Sequence, residues 1–136
     1  MIREMIPTTR HGDVTFHADG RIDITAHVSR QLKLERGDVV GIATTDGTPC
    51  EHYLYVARRQ AHILGRHACT CRPAKGHGRY LRVHSKKLAT HMLDICHATE
   101  RIELYVGEAV HVGQIGLALP LITAPYQQPL FIDPEQ

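Results

Sequence analysis

Residues 65–90 combine many cations with no acidic residue, the clearest chemical signal in the sequence. Duplex nucleic acid is a dense line of negative charge, and Lys or Arg contacts gain free energy by releasing its counterions. Gly65, Gly76 and Gly78 would let the backbone approach phosphates closely. The cations are Arg66, Arg72, Lys75, Arg79, Arg82, Lys86 and Lys87. This composition predicts contact with a polyanion, and a solvated charged surface is the simpler alternative.

The remaining charge is unevenly distributed along the chain. Residues 91–136 carry Arg101 as their only Lys or Arg against six acids, so the last third is acidic. Tyr80 is the one aromatic residue in the basic stretch, which argues against a platform that stacks single-stranded bases. The nucleic-acid-binding candidates are therefore Arg10, Arg21 and Arg30 in the first half, and Arg72, Lys75, Arg79, Arg82, Lys86 and Lys87 in the second.

A cluster of histidine and cysteine is the one candidate metal site. His67, Cys69 and Cys71 offer imidazole and thiolate ligands, and a structural zinc site needs four. The Cys-x-Cys spacing is tighter than the usual zinc knuckle and no second matching pair exists, so no metal is expected. A small zinc-binding protein stays open as an alternative. Cys50 and Cys96 are expected to be buried strand or helix residues.

No motif of an enzyme is recognisable. A nucleophilic Cys or Ser needs a positioned base, and no such arrangement surrounds any Ser or Cys. Gly76 and Gly78 are too few for a phosphate-binding fingerprint. The sequence predicts a non-enzymatic protein without a cofactor. Since no run is apolar enough for a signal peptide or a membrane span, a cytoplasmic protein with reduced thiols is expected.

Alternating apolar and polar residues indicate the elements that must position these side chains. Residues 13–17 and 21–25 alternate across a turn at Gly20 and predict a β-hairpin. A short helix over 27–34 and strands at 39–43 and 53–56 follow, with Gly37 suited to the helix end.

The pattern then partly recurs. Residues 80–84 predict a strand and Ser85 an N-cap, with Leu88 and Met92 at helical spacing. Gly113 to Leu119 predicts a buried last strand with a bulge, and the prolines beyond it argue against a further central strand. The expected organisation is a first β-β-α-β-β half at 10–60, a basic connector at 61–77, a second, degenerate half at 78–119 and a Pro-rich tail at 120–136.

Three segments of the first half together resemble a known family. Gly20 to Ile24, Ser29 to Leu32 and Gly37 to Ile42 resemble the AbrB-like swapped-hairpin DNA-binding domain. The resemblance implies a mainly β fold with short helices, a swapped-hairpin-like β-barrel from two pseudo-repeated halves. Some members are homodimers, and others, such as MraZ-like proteins, carry both copies in one chain; either arrangement is open here.

The resemblance also implies the function. We expect a regulatory protein of transcription that contacts the phosphates of double-stranded DNA through a basic surface. The short helix carries a single basic residue, Arg30, where the family usually has a pair. That departure and the acidic last third favour the alternative, a protein-interaction or assembly module of the same fold that does not bind DNA. A DNA-binding regulator of this kind could also engage a protein partner through its Pro-rich tail.

Overall fold

The computed structural model describes residues 12–46, 50–56, 69–70, 72–73 and 81–127. Within these ranges the chain forms strands, helices and one 3-10 turn in the following order. They are β1 Val14–His17, β2 Arg21–Ile24, α1 Ala26–Leu32, β3 Val39–Thr44, β4 His52–Val56, β5 Cys69–Thr70, β6 Arg72–Pro73, β7 Leu81–His84, α2 Lys86–Ile95, β8 Arg101–Leu104, β9 Val110–Val112, the 3-10 turn Gly113–Ile115, β10 Gly116–Leu121 and α3 Ala124–Gln127.

The strands form two antiparallel five-stranded sheets. Sheet I has the order β6-β7-β2-β1-β8, and sheet II has the order β5-β3-β4-β10-β9. The expectation of a mainly β fold with short helices is therefore confirmed. Within the described ranges the strands are assigned to these two sheets and to no closed barrel. None of the described helices is long and apolar enough to cross a membrane.

One apolar core lies between the sheets and the helices. Val14 and Phe16 of β1 and Ile24 of β2 are fully buried, as the alternation of the predicted hairpin requires. Sheet II contributes Leu54 and Leu119, which are directly paired across β4 and β10. The inward positions of both sheets are thus occupied by apolar residues, and the alternate positions of sheet II form a second, smaller apolar cluster around Tyr55 and Ala118.

Helix α2 forms as the sequence predicts. The Ser85 hydroxyl accepts the backbone N–H of Leu88 at 3.2 Å, which satisfies one of the unpaired donors of the first turn. Leu88 and Met92 are both buried, since their helical spacing places them on the face toward the core.

Helix α1 ends earlier than the glycine pattern suggests. Lys33 adopts the left-handed conformation with φ of 56°, and the next N–H, of Leu34, donates to Ser29 at 2.8 Å. This is a Schellman end, which usually places glycine at the left-handed residue. Gly37, expected to end the helix, instead has φ of 92° in the turn that leads into β3.

Strand β10 continues through a proline. Pro120 pairs with Tyr53 of β4, although its missing N–H argues against an interior strand. Its carbonyl accepts the N–H of Gly107 at 2.9 Å. Because the N–H and C=O of one residue point to the same side of an antiparallel strand, the missing donor also faces away from β4. The bond that a non-proline residue would donate here, to the carbonyl of Gly107, is therefore missing, while the pairing with β4 loses none.

The two sheets approach each other at two places. β5 and β6 are separated by one residue, and β5 pairs with β3 of sheet II while β6 pairs with β7 of sheet I. Farther along, an antiparallel bridge joins Val106, just beyond β8, to Leu121 of β10. The flanking N–H of Ile122 donates to Tyr105 at 2.9 Å. The residues just beyond β8 of sheet I therefore pair with β10 of sheet II.

Candidate nucleic-acid interface

The structure places six of the nine predicted cationic contacts. Arg21 lies in β2, Arg82 in β7, and Arg72 in β6, where its backbone pairs with Arg82. The other three are Arg30 of α1 and Lys86 and Lys87 at the start of α2. Arg10, Lys75 and Arg79 lie outside the described residues, as do His67, Cys71 and the tail beyond 127.

Alternation in sheet I brings two of these arginines onto one surface. Because Ile22 and Ile24 point into the core, Arg21 and Asp23 must point outward. In the same way the buried Leu81 and Val83 turn Arg82 and His84 outward. The strand register pairs Asp23 with Arg82 and Arg21 with His84. We call the outer surface formed by His17, Arg21, Asp23, Arg82, His84, Arg101 and Glu103 the charged face.

Asp23 is the centre of the charged face. Its Oδ1 accepts a hydrogen bond from Nε of Arg82 at 2.7 Å. Its Oδ2 lies 3.4 Å from Nε of Arg21 and 3.2 Å from Nε2 of His17. The contact with Arg21 is an ion pair without hydrogen-bond geometry, because no group among the described residues accepts its Nε–H. One carboxylate therefore faces two arginines and a histidine from three neighbouring positions.

His17 fixes the second arginine as well. Nη2 of Arg21 lies 3.2 Å from Nε2 of His17, on the adjacent strand β1. The His17 side chain is only 15% exposed, whereas those of Arg21 and Arg82 are 39% and 37% exposed. The histidine and the carboxylate thus form the floor of the cluster, and the two guanidinium groups are open to solvent.

The start of α2 adds two lysines at one end of this cluster. The N–H of Ser85 donates to the carbonyl of Gly20 at 2.9 Å, which fixes the helix start against the β1–β2 turn. A Cβ built on Gly20 would lie 3.0 Å from His84 and 3.1 Å from the backbone of Lys86. Gly20 also has φ of 103°, so both the turn and the close approach require glycine. Lys86 and Lys87 are exposed beside the Arg21 end of β2.

Arg30 lies at the other end of the β2–β7 pair. With Ser29, Lys33 and Leu81 it lines an open cleft of about 410 Å³ beside α1. Since Leu81 begins β7 and His84 ends it, this cleft and the α2 lysines are at opposite ends of the strand. The predicted cations therefore extend along β2 and β7 rather than meeting at one point.

Cations outnumber acids on the charged face and at the adjoining helix start. The cations are Arg21, Arg82, Arg101, Lys86 and Lys87, and the acids are Asp19, Asp23 and Glu103. Glu103 is paired with Arg101 at 2.7 Å. The backbone N–H of Arg21 donates to Asp19 and lowers the pKa of that exposed carboxyl, so Asp19 counts as a full negative charge at neutral pH. Five positive charges thus face three negative ones.

The sequence did not identify every member of this cluster. The alternation around Ile22 and Ile24 already placed Asp23 on the outer surface, and this was the available signal. The contact between Asp23 and Arg82 spans 59 residues of sequence and depends on the pairing of β2 with β7. No short-range pattern specifies that pairing, so neither Asp23 nor His17 was recognised as part of the site.

Two of the three candidate metal ligands, His67 and Cys71, lie outside the described residues. Among the described residues no group of three or more His, Cys, Asp or Glu side chains is arranged to hold a metal ion. Cys69 is placed only by the pairing of its backbone with Val40. Cys96 is buried as expected, and burial raises the pKa of its thiol to about 11, which keeps it protonated. Cys50 is exposed, contrary to the expectation that it is buried.

A second cavity lies beside β4 and the end of β10 in sheet II. It has a volume of about 340 Å³ and is lined by Cys50, His52, Leu121 and Thr123, among others. His52 is 2% exposed, and no described group lies within hydrogen-bonding distance of its Nδ1. Burial lowers the pKa of His52, and the ring of His91, 5.9 Å away, lowers it further. This histidine is therefore neutral and is better suited to packing than to binding an anion.

Comparison with known proteins gives this chain no relatives: no family model, no curated protein and no solved structure matches it. What the chain does must accordingly be argued from the residues and geometry above. The charged face is the strongest candidate because it brings together several side chains that can bind one kind of ligand.

Proposed function

We propose that this protein is a regulatory DNA-binding protein that contacts duplex phosphates through the charged face and the start of α2. The observation that carries the proposal is the position of Arg21 and Arg82 on adjacent strands, both half-exposed, with Lys86 and Lys87 at the end of the same strand pair. A sheet surface with cations in a line presents several contacts to a regular row of phosphates. Isolated surface lysines would not present such a row of contacts.

The chemistry of the two arginines suits a phosphate ligand. Arg82 uses Nε to hold Asp23, and the guanidinium group has further N–H donors directed elsewhere. A planar guanidinium binds phosphate through two parallel hydrogen bonds, and each phosphate contact also releases counterions from the duplex. Contacts of this kind give affinity and orientation without reading bases. We therefore assign the face to phosphate binding.

We further propose that the fold is a swapped-hairpin-like barrel of two pseudo-repeated halves. Two similarities support it. Helix α1 follows β2 and helix α2 follows β7, and those two strands pair with each other. Both helices also end in the same geometry, since His97 has φ of 58° and the N–H of Ala98 donates to Leu93 at 2.9 Å, as Lys33 and Leu34 do in α1.

The strand connections between the sheets support the barrel. β5 and β6 link β3 to β7 on one side, and the bridge from Val106 to Leu121 links β8 to β10 on the other. Together these contacts would complete a ring of strands around the core. Such a barrel from two halves of one chain would correspond to the AbrB-like architecture that the Gly20 and Gly37 segments resemble, in its single-chain form.

The binding proposal can be tested with fluorescently labelled duplex DNA of mixed sequence. Affinity is measured by anisotropy at low and moderate salt for the wild type, Arg21→Gln with Arg82→Gln, and Lys86→Gln with Lys87→Gln. We expect wild-type binding that weakens steeply with salt, and a loss of at least about tenfold in each double variant. Arg36→Gln, at an exposed position in the turn before β3, is the control and should bind like the wild type.

Two results would contradict the proposal. One is the absence of wild-type binding at low salt. The other is binding that the two double variants reduce no more than Arg36→Gln does. Circular dichroism spectra and thermal midpoints of all variants exclude a loss of fold as the cause.

A protein-interaction module is the second candidate, and one observation favours it. The large apolar side chains exposed among the described residues all lie in the last part of the chain, at Val110, Leu117, Ile122 and Tyr126. β9, which carries Val110, is the edge strand of sheet II. An unprotected edge with apolar neighbours can pair with another chain. Sedimentation velocity over a range of concentrations tests this: self-association that Leu117→Asp abolishes supports it, and a concentration-independent monomer argues against self-assembly.

A further inference from the structure

We propose that Asp23 is a specificity-determining residue of the charged face. It pairs with Arg21 and Arg82, and only a dense polyanion, not a weakly charged ligand, displaces it from them. This inference rests on the proposed DNA-binding function. It assigns a role to an acidic residue in the middle of a surface that would otherwise bind any anion.

The geometry gives Asp23 this position. Its two oxygens point to different partners, Oδ1 to Arg82 at 2.7 Å and Oδ2 to Arg21 at 3.4 Å. The carboxylate is 22% exposed, less than either arginine. A ligand phosphate must therefore compete for the guanidinium groups with an acceptor that is already in place.

The other described neighbours of Asp23 do not neutralise its carboxylate. On β1 its cross-strand partner is Thr15, which is uncharged, and His17 of the same strand lies 3.2 Å from Oδ2. The cluster of two arginines and one aspartate carries a surplus of one positive charge. A single phosphate ion must displace the carboxylate of Asp23 from these arginines, so its binding gains little free energy.

A duplex alters this balance. Several phosphates bind the face together, Lys86 and Lys87 add contacts, and released counterions supply a favourable entropy that a small anion cannot provide. The two arginines can then exchange Asp23 for phosphate. Asp23 thus lowers the affinity of the charged face for every anion. For weakly charged anions the remaining affinity is too low for binding.

The second acid of the charged face offers a matched control. Glu103 is 31% exposed and is held by Arg101 at 2.7 Å, three strands away from Arg82 in sheet I. Glu103→Gln removes one negative charge from the same surface as Asp23→Asn does, but it releases neither Arg21 nor Arg82. A general effect of net charge would make the two variants alike, whereas the proposed restraint distinguishes them.

Affinity for duplex DNA is measured by anisotropy as a function of salt for the wild type, Asp23→Asn and Glu103→Gln. We expect Asp23→Asn to bind about fivefold more tightly at low salt, which corresponds to the release of two exposed ion pairs. Because the two arginines contact phosphates in the wild-type complex as well, its plot of log affinity against log salt should keep the wild-type slope. Glu103→Gln should show a smaller gain and little change in slope.

The gain must also depend on the two arginines. In a background with Arg21→Gln and Arg82→Gln, Asp23→Asn should give no more than Glu103→Gln gives. Heparin, a second dense polyanion, and free inorganic phosphate are compared in the same assay. We expect phosphate to compete measurably with DNA for Asp23→Asn and not for the wild type. Asp23→Thr, with a residue that favours strands, replaces Asp23→Asn if the latter does not fold.

The outcomes separate this inference from the function on which it rests. Wild-type binding with equal gains in Asp23→Asn and Glu103→Gln overturns the role of Asp23 and leaves DNA binding intact. A gain that persists without the two arginines overturns it as well. If neither the wild type nor Asp23→Asn binds duplex at low salt, both proposals fail. Binding that is detectable only in Asp23→Asn contradicts both, because the wild type itself must bind duplex at low salt.

Discussion

The carboxylate of Asp13 accepts a hydrogen bond at 3.0 Å from the backbone N–H of Val106, 93 positions away in the chain. The same residue uses its backbone on both sides: its N–H donates to Leu104 at 2.9 Å, and its carbonyl accepts from Thr25 at 3.2 Å. One buried acid thereby joins the start of β1, the start of α1 and the chain beyond β8. These hydrogen bonds anchor β1, the strand that carries His17, and His17 in turn contacts Arg21.

Replacing Asp13 should therefore destabilise the whole protein. Asp13→Ala leaves the N–H of Val106 without this acceptor in a site where Asp13 is 3% exposed. Loss of a buried hydrogen bond to a charged group costs about 2–3 kcal/mol. We expect a decrease of that size in the free energy of unfolding, measured by urea denaturation. Asp13→Asn retains an acceptor oxygen and should lose less, and equal losses in the two variants would show that the hydrogen bond is not the cause.

Gly41 should tolerate no side chain while Tyr55 is present. A Cβ built on Gly41 of β3 would lie 2.8 Å from the Tyr55 hydroxyl and 2.9 Å from its ring, and Tyr55 is buried on the neighbouring strand. Overpacking of this kind costs about 1–3 kcal/mol, so Gly41→Ala should lower the free energy of unfolding by that amount. In a double-mutant cycle Tyr55→Ala should remove most of the Gly41→Ala penalty. Additive losses would contradict the contact.

Acidification should destabilise the fold through His52. Burial lowers the pKa of His52 in the folded protein below the ordinary value of 6.5, so only the unfolded chain takes up the proton as the pH falls past that value. There is no effect above about pH 7, and stability decreases from about pH 6.5 downward. His52→Gln should therefore lose less stability than the wild type between pH 7.5 and 5.5 in urea denaturation. His111→Gln, exposed on β9, is the control and should follow the wild type.

The two described free cysteines should differ greatly in reactivity. Cys50 is exposed, whereas Cys96 is buried and has a thiol pKa of about 11. Because the thiolate is the nucleophile, Cys96 should react about 100-fold more slowly than an ordinary exposed thiol at pH 8. Alkylation with iodoacetamide followed by peptide mapping should modify Cys50 first. Equal rates in the native protein, without urea, would contradict the burial of Cys96.

Local patterns were sufficient to predict the elements that lie next to each other in the chain. The alternation around Ile22 and Ile24 predicted the β1–β2 hairpin, and Ser85 predicted the start of α2, because each signal lies within a few residues. The helix end at Lys33 could not be predicted, since a Schellman end at lysine carries none of the usual glycine signal. Pro120 misled for a similar reason: its missing N–H faces Gly107, in a different segment, and not β4.

The candidate site was only half predictable. Arg21, Arg82, Lys86 and Lys87 were identified by charge, which can be read without knowing the fold. The partners that determine how these cations behave could not be found in that way. Asp23 meets Arg82 only through the pairing of two strands 59 residues apart, and the register of that pair is determined by the whole core.

Chemical-shift mapping shows which surface of the protein the DNA touches. Uniformly ¹⁵N-labelled protein is titrated with a short duplex of mixed sequence at low salt, and backbone amide and arginine Nε signals are followed. We predict the largest changes at Arg21, Asp23, Arg82 and His84 and at the start of α2, with reversal on adding salt. Changes confined to β9 and β10, or no changes at all, would contradict binding through the charged face.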